Sequence, residues 1–482
     1  VPSDLAPLAD RRSLHYLDVA RRLEAEIAAG ALQPGDRIPS VREMSRQTGR
    51  SVTTVLRAYE QLEACGTLES RPRSGYFVRS TAAAELTPRI VEAAPGPPSL
   101  ISTDLVSAVI DTLSRPDFMR FGHTTLEPAL TPAASLNRIA RNLIVQEPDL
   151  ALPYLMAPGY ERLRQQIAGR LVASGVAASA DDIVITSGAL EAVNLCIRAL
   201  TRPGDTILME SPTFYGLLQI AEEHGLRVVE IPNDAARGID PDDVRRAVQR
   251  HRIACALFVP NFNNPTGSLM PEDAKRDVMR TLNHRGIPLI EDDLYGELGF
   301  AAGRATPLKA YDETDGVLYC SSISKTAAPG LRIGWIASQR HARELTRRKF
   351  TLSCATASLP QLIVSRYLES GGYERHLRGL RAALWQSIQR FSDAVLRNFP
   401  EGTRVARPQG GFVLWVEMPR SVDALELFRA AVAERISICP GPVFSATGQY
   451  AHHIRLNCGM RWSPEVEGAL LRLGQLAATL AR

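Results

Sequence analysis

The stretch SSISKTAAPGLRIGW, residues 321–335, holds one amine, Lys325, among small and hydroxyl residues. Arg332 follows seven positions on, across Pro329 and Gly330. Most lysines are solvated surface charges. Lys325 follows the apolar run VLYC directly, which places it near the end of a strand. A lysine held and desolvated there can condense with an aldehyde.

A pyridoxal cofactor makes three further demands: a carboxylate that keeps the ring nitrogen protonated, a phosphate cradle, and flat packing on the ring. Asp292 or Asp293 in IPLIEDDLYGE supplies the carboxylate, unless it caps the next helix. TSGAL, 186–190, offers backbone N–H groups at a helix start, a setting suited to an anion. Ser322 and Arg332 can add a hydroxyl and a guanidinium. NNPTG, 263–267, is a turn by composition, in which Asn264 either bonds a ring oxygen or serves an ordinary loop. Phe214 or Tyr215 in ESPTFYG can stack.

These residues need elements to position them. From about 180, apolar strand-like runs (DIVITSG, DTILME, LRVVEI, ACALFVP, IPLIEDD, VLYCSS) alternate with helical stretches such as IDPDDVRRAVQR. That order predicts an α/β fold around a mainly parallel sheet. Ligands of such sheets sit outside the strand C-terminal ends, where Gly188, Asn264, Asp292 and Lys325 all fall. After about 345 a helix-rich stretch leads to VLWVEMP and HHIRLNCG, which predict a smaller C-terminal α/β subdomain.

The first eighty residues differ in character. Val19, Leu23 and Ile27 recur at helical spacing. Ser40 and Glu43 have capping-box spacing ahead of a second helix that Gly49 stops. Ser51 can open a third, with Val55, Tyr59 and Leu62 on one face, ended by Gly66. Leu68, Tyr76, Phe77 and Val78 around Pro72 and Gly75 suggest a short hairpin, a wing. Two short helices across a Gly turn read as a helix-turn-helix. Arg42, Arg46, Arg50, Arg57, Arg71 and Arg73 can reach phosphates, and Thr53 and Thr54 can approach base edges or backbone. With 12 Arg against 10 acidic residues in 1–80, any basic face must come from sorting, and a helical protein-interaction domain is the plainer alternative.

Composition sets the outer bounds. The 482 residues are enough for two or three domains, and 45% hydrophobic with 22% charged residues is a globular balance. A net charge of +4 does not by itself demand nucleic acid. The seven Cys are dispersed, without metal-ligand or disulfide spacing, so no metal is expected and a reducing interior is. No long apolar run or signal-like N-terminus is present, and the expectation is a cytoplasmic protein, nucleoid-associated when DNA-bound, with no membrane contact. Residues 80–100 are rich in Ala and Pro and read as a hinge. The expected organisation is 1–80 winged helix-turn-helix, 81–105 linker and 106–482 cofactor domain, with its small subdomain from about 345.

Two resemblances sharpen these readings. LQPGDRIPSVREMSRQTGRSVTTVLRAYEQLEACGTLESRPRSGYFV resembles the winged helix-turn-helix of GntR-type bacterial regulators, which implies Arg42, Arg50, Arg71 and Ser51–Thr54 as DNA contacts. From about 120 onward the chain resembles a fold-type I pyridoxal phosphate-dependent aminotransferase, on SSISKTAAPGLRIGW, NNPTG and EDDLYGE. That resemblance implies Lys325 as the cofactor lysine and Asp292 as partner of the pyridinium nitrogen. It implies Tyr295 and Asn264 on the ring 3-oxygen, Phe214 stacked on the ring, and Gly188, Ala189, Ser322 and Arg332 on the phosphate. Tyr154 would reach the phosphate of a neighbouring subunit, which implies a homodimer, and Arg455 in HIRLNCG would clamp a substrate carboxylate. Ala189-Leu190 departs from the more polar residues of many relatives, leaving only backbone phosphate contacts there.

The order of the two parts resembles the MocR subfamily of GntR regulators. It implies a dimeric regulator, often domain-swapped, that binds a double-stranded operator and senses pyridoxal 5'-phosphate or an amine or amino acid effector. The alternative is a working aminotransferase whose N-terminal domain is incidental to catalysis.

Overall fold

The computed structural model describes residues 16, 18–20, 22–23, 26–27, 31–33, 35–64, 67–71, 74–78, 87–91, 103–300 and 304–482. The chain divides into two compact units that part between Leu86 and Thr87.

In the first unit, Ser40 has extended backbone and its Oγ accepts the Glu43 N–H at 3.3 Å, opening α1, Val41–Thr48. Gly49 ends α1 at φ 64°, a left-handed conformation that a Cβ disfavours. Ser51 Oγ accepts the Thr54 N–H at 3.1 Å and so starts α2, Val52–Ala64. Val19 and Leu23 from the preceding helical turns bury against Met44 of α1 and Val55, Tyr59 and Leu62 of α2. β1, Leu68–Arg71, pairs antiparallel with β2, Gly75–Val78, and Leu68 and Val78 close the core from the wing.

The second unit is built on an eight-stranded sheet. Its strands are β3 (Ile183–Thr186), β4 (Thr206–Ser211), β5 (Arg227–Asp234), β6 (Gly238–Ile239), β7 (Cys255–Phe258), β8 (Leu289–Asp292), β9 (Val317–Ser322) and β10 (Gly334–Ala337). Their order is β3-β10-β9-β8-β7-β4-β5-β6. Neighbours from β9 to β5 are parallel, while β10 runs antiparallel to both β9 and β3. The apolar runs are continuous because both faces are covered: Ile207 and Met209 enter one core, Leu208 the other. The antiparallel β10 was not legible as a strand of its own, since IGWIA reads as the tail of the lysine motif.

The smaller subdomain recruits chain from before the large sheet. Helix α3, Thr103–Leu113, places Thr112 Oγ1 3.0 Å from Ser437 Oγ, and Met119–Arg120 pairs in parallel with Ile436–Ser437. Helix α4, Ala189–Leu200, belongs to the large sheet and packs on it directly after β3. Helix α5, Ala342–Ser353, still packs on the large sheet, where its Leu345 joins the core with Val184 and Ala192, while α6, Gly372–Asn398, belongs to the smaller subdomain. Beside α6 stands an antiparallel sheet of β11 (Arg404–Val405), β12 (Val413–Glu417), β14 (His453–Asn457) and β13 (Cys439–Pro440), in that order. Within the stretch read as a hinge, Arg89 N donates to Glu417 Oε2 at 2.8 Å and Thr87 O accepts from Arg404 at 3.4 Å. Two-residue strands have no periodicity, so nothing local announces this pairing. Among the described residues no helix is long and apolar enough to cross a membrane.

Candidate active site and nucleic-acid interface

The residues singled out by type and spacing meet at the C-terminal ends of the parallel strands. Gly188 follows β3, Phe214 follows β4, Asn264 follows β7, Asp292 ends β8, and Ser322 ends β9 just before Lys325. Arg332 leads into β10 and, because that strand is antiparallel, arrives at the same edge. A cavity of about 120 Å³ is lined by Ala189, Phe214, Asn264, Asp292, Tyr295, Ser322, Lys325 and Arg332, together with Thr124 and Leu190.

Of each pair of neighbouring candidates, one lines the cavity and the other does not. Asp293 points away from the cavity and is consumed internally: it accepts from Asn261 Nδ2 at 3.0 Å and Tyr319 OH at 2.8 Å and pairs with Arg304. Asp292 faces the cavity, buried, with Oδ1 unpartnered. Burial, with the Asp293 charge behind it, pushes the Asp292 carboxyl up to about 7 against the pull of Lys325. Likewise Phe214 lines the cavity, while Tyr215 is buried and packs edge-on to Phe444 at 6.1 Å.

Lys325 Nζ donates to the Thr124 carbonyl at 2.6 Å. Burial, then the charges of Arg455 and Arg332, bring its amine down to about 8, with Asp292 opposing. Tyr295 is buried with its hydroxyl unpartnered, and burial pushes that hydroxyl up. Gly188 caps α4 at φ 93°, and a Cβ there would run into the Arg332 guanidinium. Arg332 itself donates to Ser187 O at 3.0 Å. Ser322 Oγ accepts the Ser324 N–H at 3.2 Å.

Arg455, on β14, is fully buried, and among the described residues no carboxylate forms an ion pair with it. Nη1 donates to Asn264 Oδ1 at 3.2 Å, Nη2 donates to the Gly122 and His123 carbonyls, and Nε has no partner. Its charge is thus met by neutral acceptors alone. Tyr154 stands apart, 77% exposed and away from the cavity.

Two features escaped the sequence reading. Thr124 lies 201 residues from the lysine it holds, and no spacing could pair them. Glu210, at the end of β4, accepts from Val259 N at 2.9 Å and Asn263 Nδ2 at 3.1 Å, so it braces the turn that presents Asn264. Burial pushes Glu210 up to about 8. Its signal, an acid closing the apolar run TILME, was there to be read. Among the described residues no cluster of His, Cys, Asp or Glu could hold a metal ion.

On the first unit, Arg42 and Thr53 are exposed, as is Ser51, whose Oγ is engaged at the start of α2. Thr54 is half-buried, and its hydroxyl lies 2.8 Å from Ser51 Oγ. Arg50 is half-buried and sits 3.7 Å from Asp18. Arg71 is already engaged, with Glu69 at 2.6 Å and the Phe77 ring at 4.3 Å, so it must exchange partners to meet a phosphate. Arg73 lies outside the described residues. Val52 and Leu56, 50% and 38% exposed on α2, had not been singled out.

Known proteins carry the same two parts. The aminotransferase class I and II family profile matches residues 130–467, and that of the bacterial regulatory proteins of the gntR family matches 15–78. The uncharacterized HTH-type transcriptional regulator YdcR of Escherichia coli (strain K12) is 37% identical, covering 96% of this chain and 98% of its own. The uncharacterized HTH-type transcriptional regulator YjiR of the same organism is 33% identical, covering 95% and 98%. Among solved structures, LysN, the alpha-aminoadipate aminotransferase of Thermus thermophilus complexed with N-(5'-phosphopyridoxyl)-L-leucine, superimposes with a TM-score of 0.73 at 27% identity, covering 79% of this chain and 96% of its own. The chain belongs to the MocR type of GntR regulators, in which a helix-turn-helix domain is fused to a domain of the class I and II aminotransferase family.

Proposed function

We propose that this protein is a pyridoxal phosphate-dependent transcriptional regulator, whose head binds a duplex operator and whose aminotransferase-like domain senses the cofactor or an amino compound that reacts with it. One observation carries the reading: Asp292 Oδ1 and Tyr295 OH, both buried and unpartnered, border the same cavity as Lys325. Native chains rarely leave such groups unsatisfied without a ligand to meet them.

The residues present fit the cofactor. Asp292 would face its ring nitrogen, and that cationic nitrogen would draw the Asp292 carboxyl back down. Asn264 and Tyr295 would meet the ring oxygen, Phe214 would pack on the ring, and the helix start at Gly188 and Ala189, with Ser322 and Arg332, would take the phosphate. When bound, the cofactor supplies an electron sink. The chain supplies the rest. Lys325 Nζ, brought down to about 8, is partly neutral near physiological pH, so it can attach an aldehyde or accept a proton. Arg455 orients a carboxylate if its guanidinium exchanges the Gly122 and His123 carbonyls for one. Because all these groups share one site, slow amino transfer is a second reading. The exposed Tyr154 suits a homodimer in which it reaches the partner's phosphate, and the operator-binding role places the protein at the nucleoid in the cytoplasm.

The test is to load apo protein with pyridoxal phosphate, reduce with borohydride and map the labelled peptide, alongside gel-shift of upstream DNA with and without cofactor. Label at Lys325 and a cofactor-dependent shift are expected. Label elsewhere, or none, defeats the cofactor reading. Label without any DNA shift, accompanied by steady amino transfer, favours the enzyme.

A further inference from the structure

We propose that the ion pair of the half-buried Glu191 with the buried Lys349 is a positioning device for the phosphate cradle: it fixes the peptide ahead of Gly188 and cancels a carboxylate that would otherwise repel the phosphate. The inference rests on the cofactor reading above and goes beyond it, since neither residue touches the cavity.

Glu191 stands in the first turn of α4, the helix whose start carries Gly188 and Ala189. An acidic side chain there suits the helix dipole but opposes a second anion at the same end. Its Oε2 accepts the Ser187 N–H at 2.5 Å. The Ser187 carbonyl accepts from Arg332 at 3.0 Å. Both backbone polar groups of Ser187 are therefore committed, one to each flank of the cradle. Lys349, fully buried on α5, donates to both carboxylate oxygens of Glu191 at 2.9 Å and to Ser353 Oγ at 2.8 Å. A lysine taken out of water is costly even when paired, and such pairs are often replaceable by apolar residues without loss of stability, so stability alone is a poor account of this one. The backbone bond to Ser187 gives it a specific task.

The test compares apo wild type with Lys349→Met, Glu191→Gln/Lys349→Met and Glu191→Ala/Lys349→Met. Each is titrated by absorbance with pyridoxal phosphate and with pyridoxal, which carries the same aldehyde and no phosphate. Lys349→Met, which strands a carboxylate beside the cradle, should lose about 10- to 100-fold in affinity for pyridoxal phosphate and little for pyridoxal. Glu191→Gln/Lys349→Met should recover most of the loss, because the glutamine carbonyl accepts the Ser187 N–H without a charge. Glu191→Ala/Lys349→Met, lacking that acceptor, should not. If Lys349→Met fails to fold, the two double variants decide the matter between them. Equal losses for both ligands, or none for either, overturn the proposal while the cofactor reading stands. A wild type that binds neither ligand overturns both.

Discussion

Replacing Lys325 by Met should make the cofactor-free protein more stable, and only on the acid side of its titration. The charged amine is disfavoured in the folded state by burial and by Arg455 and Arg332, which bring it from 10.5 to about 8. That drop corresponds to ~3 kcal/mol against the folded state while the amine is charged in both states, and relaxation around the site reduces it to ~1–3 kcal/mol. The sign follows from proton counting. Below about 8 the amine is charged in both folded and unfolded chains, and the full penalty is present. Between about 8 and 10.5 the unfolded chain holds a proton that the folded one has released, so wild-type stability rises relative to the variant. Above 10.5 the amine is neutral in both states and the penalty is gone. All four Trp follow residue 87, so tryptophan fluorescence in urea follows the aminotransferase-like unit alone. The expected result is a gain for Lys325→Met of ~1–3 kcal/mol at pH 7, shrinking toward the constant effect of the added apolar surface at pH 10.5. A gain of the same size at both values, or a loss at pH 7, refutes the claim that this amine is held in an unfavourable setting.

Three further outcomes are expected. Arg455→Met should leave borohydride labelling of Lys325 intact yet weaken the spectral response to amino acids ~10–100-fold. The matching amines without a carboxylate should be unaffected, and equal weakening for both would remove the carboxylate role. Gly188→Ala places a Cβ at φ 93° against the Arg332 guanidinium and should lower stability by ~1–3 kcal/mol in thermal unfolding, with a matching drop in cofactor retention. An unchanged melt would show that the cradle has slack. Arg42→Ala should reduce the slope of log operator affinity against log salt by about one, uniformly across operator sequences, whereas a loss confined to one base position would mean that Arg42 reads a base.

Much of the sheet was legible because a strand covered on both faces must be apolar throughout, and several such runs end at residues that line the cavity, among them Asp292 and Ser322. The head was legible from its punctuation: Ser40, Gly49 and Ser51 each do locally what their chemistry predicts. What could not be read was set by geometry across long separations. Asp292 and Asp293 are interchangeable on paper and differ only in the direction each side chain takes at the end of β8. Glu191 and Lys349 stand 158 residues apart, each an ordinary charge on an ordinary helix until folding buries the lysine against the carboxylate. The small subdomain's debt to residues 87–91 and 103–121 rests on a two-residue strand and scattered single hydrogen bonds, which leave no period to detect. Arg71 shows the converse, for the Glu69 that it pairs with stands two residues away and was in plain view.

Lys325 and Arg455 both tie down the short run Gly122–Thr124 by its carbonyls. Whatever claims either cation unfastens that run. Before it in the chain stand Met119–Arg120, paired with Ile436–Ser437, and α3. The two cations that line up on this site thus also hold the stretch of chain that enters the unit from its N-terminal side, so a group that took either of them would have to compete with that stretch's own carbonyls.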